Sequence, residues 1–202
     1  MLMSDIKILV ACECSQVVCK AFRDRGFTAF SCDLLPCYGG FPGWHIQGDA
    51  YEVCRSYSWH CVIAHPPCTY LSHAGACHLY SSKKFGFDWE RFSKGFAASK
   101  FFRSFFDLRV PFLCVENPTP ETFWNFPKPS CIIQPWEFGS PYKKRTCLWL
   151  RGLPSLLPTS LFTVRDSWTV LHKSQRIRSR TFPGVAAAMA DQWGSFLVDS
   201  LC

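Results

Sequence analysis

Apolar residues fall in short runs parted by polar, turn-forming stretches, and the spacing inside each run differs from one to the next. Lys7 to Cys12 (KILVAC) is almost continuously apolar, the pattern of a short strand covered on both faces. Gln16 to Arg25 switches to helical spacing, with Val18 and Phe22 four apart, and Gly26 stops that helix. Thr28 to Cys32 predicts a second strand that ends at Asp33. A loop rich in Pro and Gly follows from Leu34 to Gly43, then a short segment ending at Gly48-Asp49. Cys61 to Ala64 is another apolar strand and runs straight into Pro66-Pro67. Asp88 to Leu108 predicts a long helix bearing Phe92, Phe96 and a later Phe cluster. Phe112 to Val115 is the next strand, stopped by Glu116-Asn117-Pro118, and Arg145 to Leu150 (RTCLWL) is a late one.

Strands and helices in this alternation imply an α/β fold, a mostly parallel Rossmann-like sheet with helices on both faces. Ligands of such sheets sit beyond the carboxyl ends of the strands. Glu13, Asp33, Asp49, Cys68 and Glu116 all lie at or just after a strand end. From Gly152 to Arg180 the pattern lapses, and Pro154 and Pro158 argue against regular structure there. A basic stretch follows, with Arg165, His172, Lys173, Arg176, Arg178 and Arg180. It reads either as a solvated face or as a phosphate-contacting segment. Pro183 to Leu197 predicts a closing helix, with Pro183 in its first turn and an Ala-rich body.

Composition narrows the class. Hydrophobic residues make up 48% and charged ones 18% of 202 residues, which excludes disorder as the main state. Nineteen Phe and eight Trp build an aromatic core or line a cleft that stacks flat rings. The formal charge of +7 suits a polyanionic partner such as nucleic acid. Thirteen cysteines are an odd number, and Met1 to Cys12 lacks the charged, apolar and cleavage regions of a secretory leader. With no apolar run of about 18 residues either, a cytoplasmic protein with reduced thiols and no membrane partner is expected. Cys12, Cys14 and Cys19 lack zinc-ribbon spacing, and His73, Cys77 and His78 lack a partner pair, so no metal is expected.

Read together, His65-Pro66-Pro67-Cys68-Thr69-Tyr70-Leu71-Ser72-His73-Ala74-Gly75 resembles the signature loop of the DNA (cytosine-5) methyltransferases. Val115-Glu116-Asn117-Pro118 resembles the family's Glu-Asn motif at the end of the next strand. Lys143-Lys144-Arg145 is similar to its later arginine-bearing motif. Thr181-Phe182-Pro183-Gly184-Val185-Ala186 through Trp193 is similar to the final one, and all four come in the family's order. The compact form is similar to enzymes encoded by bacteriophages.

The resemblance implies a methyltransferase fold binding S-adenosylmethionine and methyl transfer to carbon 5 of cytosine in DNA. Cys68 is then the nucleophile that adds to carbon 6, making carbon 5 enamine-like. Glu116 is the acid and hydrogen-bond partner at ring nitrogen 3, and Arg145 holds the base oxygen. Pro67, Ser72, Asn117, Arg176, Arg178 and Arg180 are the expected substrate contacts. Cys12, Glu13, Asp33, Asp49 and Pro66 are the expected cofactor contacts. The first turn, Ala11-Cys12-Glu13-Cys14-Ser15-Gln16, departs from the family's Gly-rich cradle because it has no glycine. The target-recognition region shrinks to about residues 152–180, ahead of a final helix at 183–198, within one catalytic domain of 1–202. That shortage keeps two alternatives open. One is a free pyrimidine nucleotide such as deoxycytidine monophosphate as substrate. The other is a catalytically degenerate protein that only binds nucleic acid.

Overall fold

The structure is a computed structural model, and it describes residues 2–80, 86–160, 162–163, 166–168 and 174–201. Arg165, His172 and Lys173 of the basic stretch lie outside the described residues. The main sheet has seven strands in the order β3-β2-β1-β4-β5-β8-β6. In chain order these are β1 Lys7–Ala11, β2 Thr28–Asp33, β3 His45–Gln47, β4 Cys61–Ala64, β5 Phe112–Pro118, β6 Cys131–Ile133 and β8 Thr146–Arg151. Strands β3, β2, β1, β4 and β5 run parallel, and β8 is inserted antiparallel between β5 and β6. A separate two-residue pair joins β7 Tyr142–Lys143 to β9 Asp166–Ser167. This is the mostly parallel, Rossmann-like α/β arrangement that the alternation predicts.

The unbroken apolar runs have a simple cause. Successive side chains of a strand point to opposite faces, so a strand covered on both sides needs apolar residues at every position. Ile8 and Val10 of β1 enter one core, with Val18, Cys19 and Phe22 of helix α1 (Val17–Arg23) and with Met189, Trp193 and Leu197 near the C-terminus. Leu9 and Ala11 enter the other, with Ala50 and Cys54 of α2 (Ala50–Ser56). Phe102 of the long helix Trp89–Ser104 and Trp124 complete that second core. Most of the aromatic residues accordingly serve packing: Phe102 stacks on Phe126 at 4.2 Å and meets Trp149 edge-on at 5.0 Å.

Several boundaries differ from expectation. Strand β1 ends at Ala11, because Cys12 takes a left-handed backbone with φ +60°. Strand β5 runs on through Glu116 and Asn117 to Pro118, since its outer neighbour β8 pairs with it that far, Pro118 opposite Thr146. The final helix is interrupted by a π-helical stretch, Met189–Trp193, between Pro183–Ala188 and Gly194–Leu201. Helix α2 has no long apolar stripe to announce it, and it begins where the Asp49 side chain accepts from the amides of Tyr51 and Glu52.

The twelve described cysteines are free thiols. Burial pushes Cys19, Cys32 and Cys54 up to about 12, which makes them inert packing groups. No helix among the described residues is long and apolar enough to cross a membrane.

Trp193 joins the C-terminal helix to this framework. It is fully buried, and its indole N–H donates to the Pro154 carbonyl at 2.9 Å. Truncation leaves both a large void and an unpaired carbonyl. Trp193→Ala is expected to lower the free energy of unfolding by about 3–5 kcal/mol in urea titrations. A loss within the noise of the titration would mean that the closing helix does not contribute to the core.

Candidate active site

Two adjacent parallel strands build the centre of the site. β4 and β5 pair with Ala64 opposite Val115, so the residues that follow them emerge side by side at the carboxyl edge of the sheet. From β4 come His65, Pro66, Pro67 and Cys68; from β5 come Glu116 and Asn117. Asn117 is 1% exposed, and its Nδ2 donates to the Pro66 carbonyl at 2.8 Å. That bond ties the cysteine loop to the neighbouring strand. The loop then closes on itself, as the amides of Leu71 and Ser72 donate to the Cys68 carbonyl.

The carboxylate of Glu116 faces an imidazole. Its Oε2 lies 3.1 Å from Nδ1 of His65, and the two side chains are 17% and 11% exposed. Burial is the largest influence on Glu116 and pushes its acidity weaker. The His65 hydrogen bond, the His65 charge and the Lys144 ammonium together outweigh it and hold the carboxyl below its ordinary range. Nε2 of His65 and Oδ1 of Asn117 are buried without a hydrogen-bond partner among the described residues. Buried polar atoms in folded proteins are nearly always satisfied, so these two call for partners from ordered water or a ligand.

A narrow cleft opens at this point. Its polar lining includes His65, Glu116, Lys144 and Thr181; Phe182 and Met189 form part of its apolar wall. Gly184 allows the closing helix to come this near: a Cβ there would meet the Phe138 carbonyl oxygen at 1.8 Å. Cys68 sits beside the cleft rather than in its wall. Burial pushes the Cys68 thiol up, and the Glu116 charge pushes the same way, while Lys144 and Arg178 pull it back.

The expected site residues therefore divide. Cys68, Glu116, Asn117, Pro66 and Arg178 come together here. Arg145 is exposed and lies against Cys147, outside the cleft wall. Pro67 is exposed on the loop. Ser72 caps the short helix α3 (His73–Ala76), accepting from the Gly75 amide, a local structural task. Arg176 stacks its guanidinium on Tyr38, 3.9 Å from the ring centroid, and Arg180 is exposed. Arg178 departs from the picture of a solvated basic face, since its Nε is buried and unpartnered among the described residues. Sequence reading missed His65 and Lys144 as functional candidates. In the sequence His65 is one position of the loop motif and Lys144 the neighbour of an arginine, and neither carries a signal of which way it faces.

At the ends of β1, β2 and β3 the structure gathers Cys12, Asp33 and Asp49. Burial, then the charges of Asp33, Cys54, Cys32 and Asp49, raise the Cys12 thiol well above its ordinary value. Asp33 accepts from the Leu35 amide at 3.0 Å, and Asp49 caps α2. Glu13 does not share in this group, which corrects the expectation that it faces a cofactor. It is 5% exposed, and its oxygens accept from the amides of Val18 at 2.8 Å and Cys19 at 3.1 Å and from the Ser15 hydroxyl. A carboxylate bonded to the first amides of α1 is a helix cap. The turn also manages without glycine: Cys12 and Gln16 both adopt φ +60°.

No family profile matches the chain, and no curated protein does. Among solved structures it is similar to a triple mutant of DNMT2 from Spodoptera frugiperda, at 14% identity and a TM-score of 0.40. The match covers 80% of this chain and 54% of that one, so this chain spans about half the length of that protein.

The His65–Glu116 contact has a measurable signature. A carboxyl whose acidity is strengthened by folding stabilises the folded state above its unfolded value, and that contribution fades as pH falls through the folded value. Acidification between about pH 5 and pH 3 should therefore weaken wild type more than Glu116→Gln in urea unfolding. The comparison cancels Glu13, whose burial-raised carboxyl acts in the opposite sense. Identical pH slopes in the two proteins would show that this contact does not stabilise the fold.

Proposed function

We propose that this chain is a cytosine-5 methyltransferase acting on DNA, with Cys68 as nucleophile and S-adenosylmethionine as donor. One observation carries the reading: the β4–β5 register sets a cysteine loop beside a buried carboxylate at the carboxyl edge of a parallel sheet. Carbon 5 of cytosine is a weak nucleophile. Addition of the Cys68 sulfur to carbon 6 forms an S–C bond and moves the ring's electrons toward carbon 5 and nitrogen 3. In this reading Glu116 shares a proton with nitrogen 3 and so stabilises that charge. Its ionised state in the free chain fits the same picture. When Cys68 gives up its S–H proton and Glu116 takes one up to share with nitrogen 3, the carboxylate no longer opposes the thiolate, and Lys144 and Arg178 favour it. After carbon 5 takes the methyl group it loses its proton to a base, and the sulfur leaves.

The cofactor reading rests on chemical fit. Asp33 and Asp49 present two carboxylates beside Cys12 at the ends of three parallel strands. Acids there suit the hydroxyls of a ribose and the amino group of an adenine. S-adenosylmethionine, when bound, supplies the electrophilic methyl group. Pro66 and the Asn117 bond hold the cysteine loop between that edge and the cleft.

Expression in a bacterial host is expected to leave 5-methylcytosine in its DNA, detected by nucleoside mass spectrometry. Cys68→Ser is expected to abolish that product and any covalent complex with 5-fluorocytosine DNA. Full activity in the variant would end the mechanism. Methylation of deoxycytidine monophosphate with none in DNA would move the substrate to the free nucleotide. DNA binding without turnover by wild type would leave a binding protein.

A further inference from the structure

The imidazole of His65 has two nitrogens, and only one of them is engaged. The hydrogen bond made by one ring nitrogen decides where the proton of a neutral histidine sits. Nδ1 lies 3.1 Å from Oε2 of Glu116, and a carboxylate can only accept, so Nδ1 carries the proton. Nε2 then keeps its lone pair. That atom is buried and has no hydrogen-bond partner among the described residues, and His65 lines the cleft.

The ring is also held in place. The backbone N–H of His65 donates to the Ala11 carbonyl at 2.9 Å, and the carbonyl of the following Pro66 accepts from Asn117 at 2.8 Å. The other charged groups around it are committed elsewhere. Glu13, whose carboxylate feels the His65 charge, accepts from the amides of Val18 and Cys19. Lys144, also in the cleft wall, donates to the Arg178 carbonyl at 2.9 Å. A lone pair in a cleft, with a carboxylate behind the opposite nitrogen, is the arrangement of an oriented general base.

We propose that Nε2 of His65, oriented by Glu116, is the base that removes the proton from carbon 5 of the methylated ring. This assignment rests on the ring chemistry proposed above, which leaves that base unnamed. The carbon 5 proton moves to Nε2. The electron pair of the broken C–H bond forms the double bond between carbons 5 and 6. The pair of the carbon 6–sulfur bond leaves with Cys68 as thiolate. The imidazolium so formed faces the Glu116 carboxylate and later gives its proton to water. Glu116 then has two tasks on two oxygens: Oε2 orients His65, and Oε1 serves nitrogen 3.

The tautomer is tested without DNA or methyl donor. Nitrogen–proton NMR spectra of protein labelled with 15N-histidine resolve the six rings, and the signal missing from His65→Asn identifies His65. The neutral ring should carry its proton on Nδ1. A proton on Nε2 overturns the assignment whatever the turnover. The chemical role is tested with His65→Asn, whose side-chain amide can still donate to Glu116 but offers no base. On 5-fluorocytosine DNA, fluorine replaces the proton that the base would take, so His65→Asn should trap the covalent adduct at the wild-type level. On ordinary cytosine DNA its turnover should fall by about a hundredfold or more. A merely structural role would lower both readouts together, and that result overturns the assignment, as does full turnover. If His65→Asn does not fold, His65→Gln takes its place in the same two assays. Neither product nor adduct from wild type would remove the methyl-transfer reading, and the base assignment with it.

Discussion

The pairing of β4 with β5 is the constraint on which the rest of the site depends. Both strands are parallel and central, and their register fixes which residues leave the sheet together. The bond from Asn117 to the Pro66 carbonyl then converts a strand end into a rigid loop. Proline at two successive positions removes amide donors and restricts the backbone, so a side-chain amide from the next strand is the available means of holding it. Cys68, His65 and Glu116 owe their proximity to this one seam. The cleft, the acidity of the carboxyl and the state of the thiol all follow from it.

Much of the frame was legible in the sequence, for a physical reason. Strands covered on both faces must be apolar throughout, so KILVAC and CVIA declare themselves, and the reactive residues after them mark the edge of the sheet. What could not be read was direction and facing. Nothing in RTCLWL states that β8 runs antiparallel, yet that reversal brings its first residues to the carboxyl edge beside Asn117 and Pro118. Helix α2 is hard to read from the sequence because its signal is a cap at Asp49 rather than an apolar stripe. The His65–Glu116 contact joins residues 51 apart in the chain and exists only once the strands pair.

The first turn shows how a motif can be absent and its geometry kept. Left-handed backbone costs a non-glycine residue about 1–2 kcal/mol, and this chain accepts that at Cys12 and at Gln16. Gln16 is compensated by its own amide group. Its Nε2 donates to the Phe41 carbonyl at 2.8 Å and to the Ser31 hydroxyl, and its Oε1 accepts from the Phe41 amide at 3.0 Å. A glycine would relax the backbone and release the 34–43 loop. Glu13, meanwhile, replaces solvent or an anion at the start of α1.

The outermost strands, β3 and β6, have three residues each. A sheet border so brief offers another chain almost no backbone on which to add a strand. The long, continuously apolar segments that would be hazardous at a border are confined to the interior, each with a partner on either side. A protein this rich in aromatic and aliphatic residues thus carries its protection against fibre-like association in strand order, with little demand on surface charge.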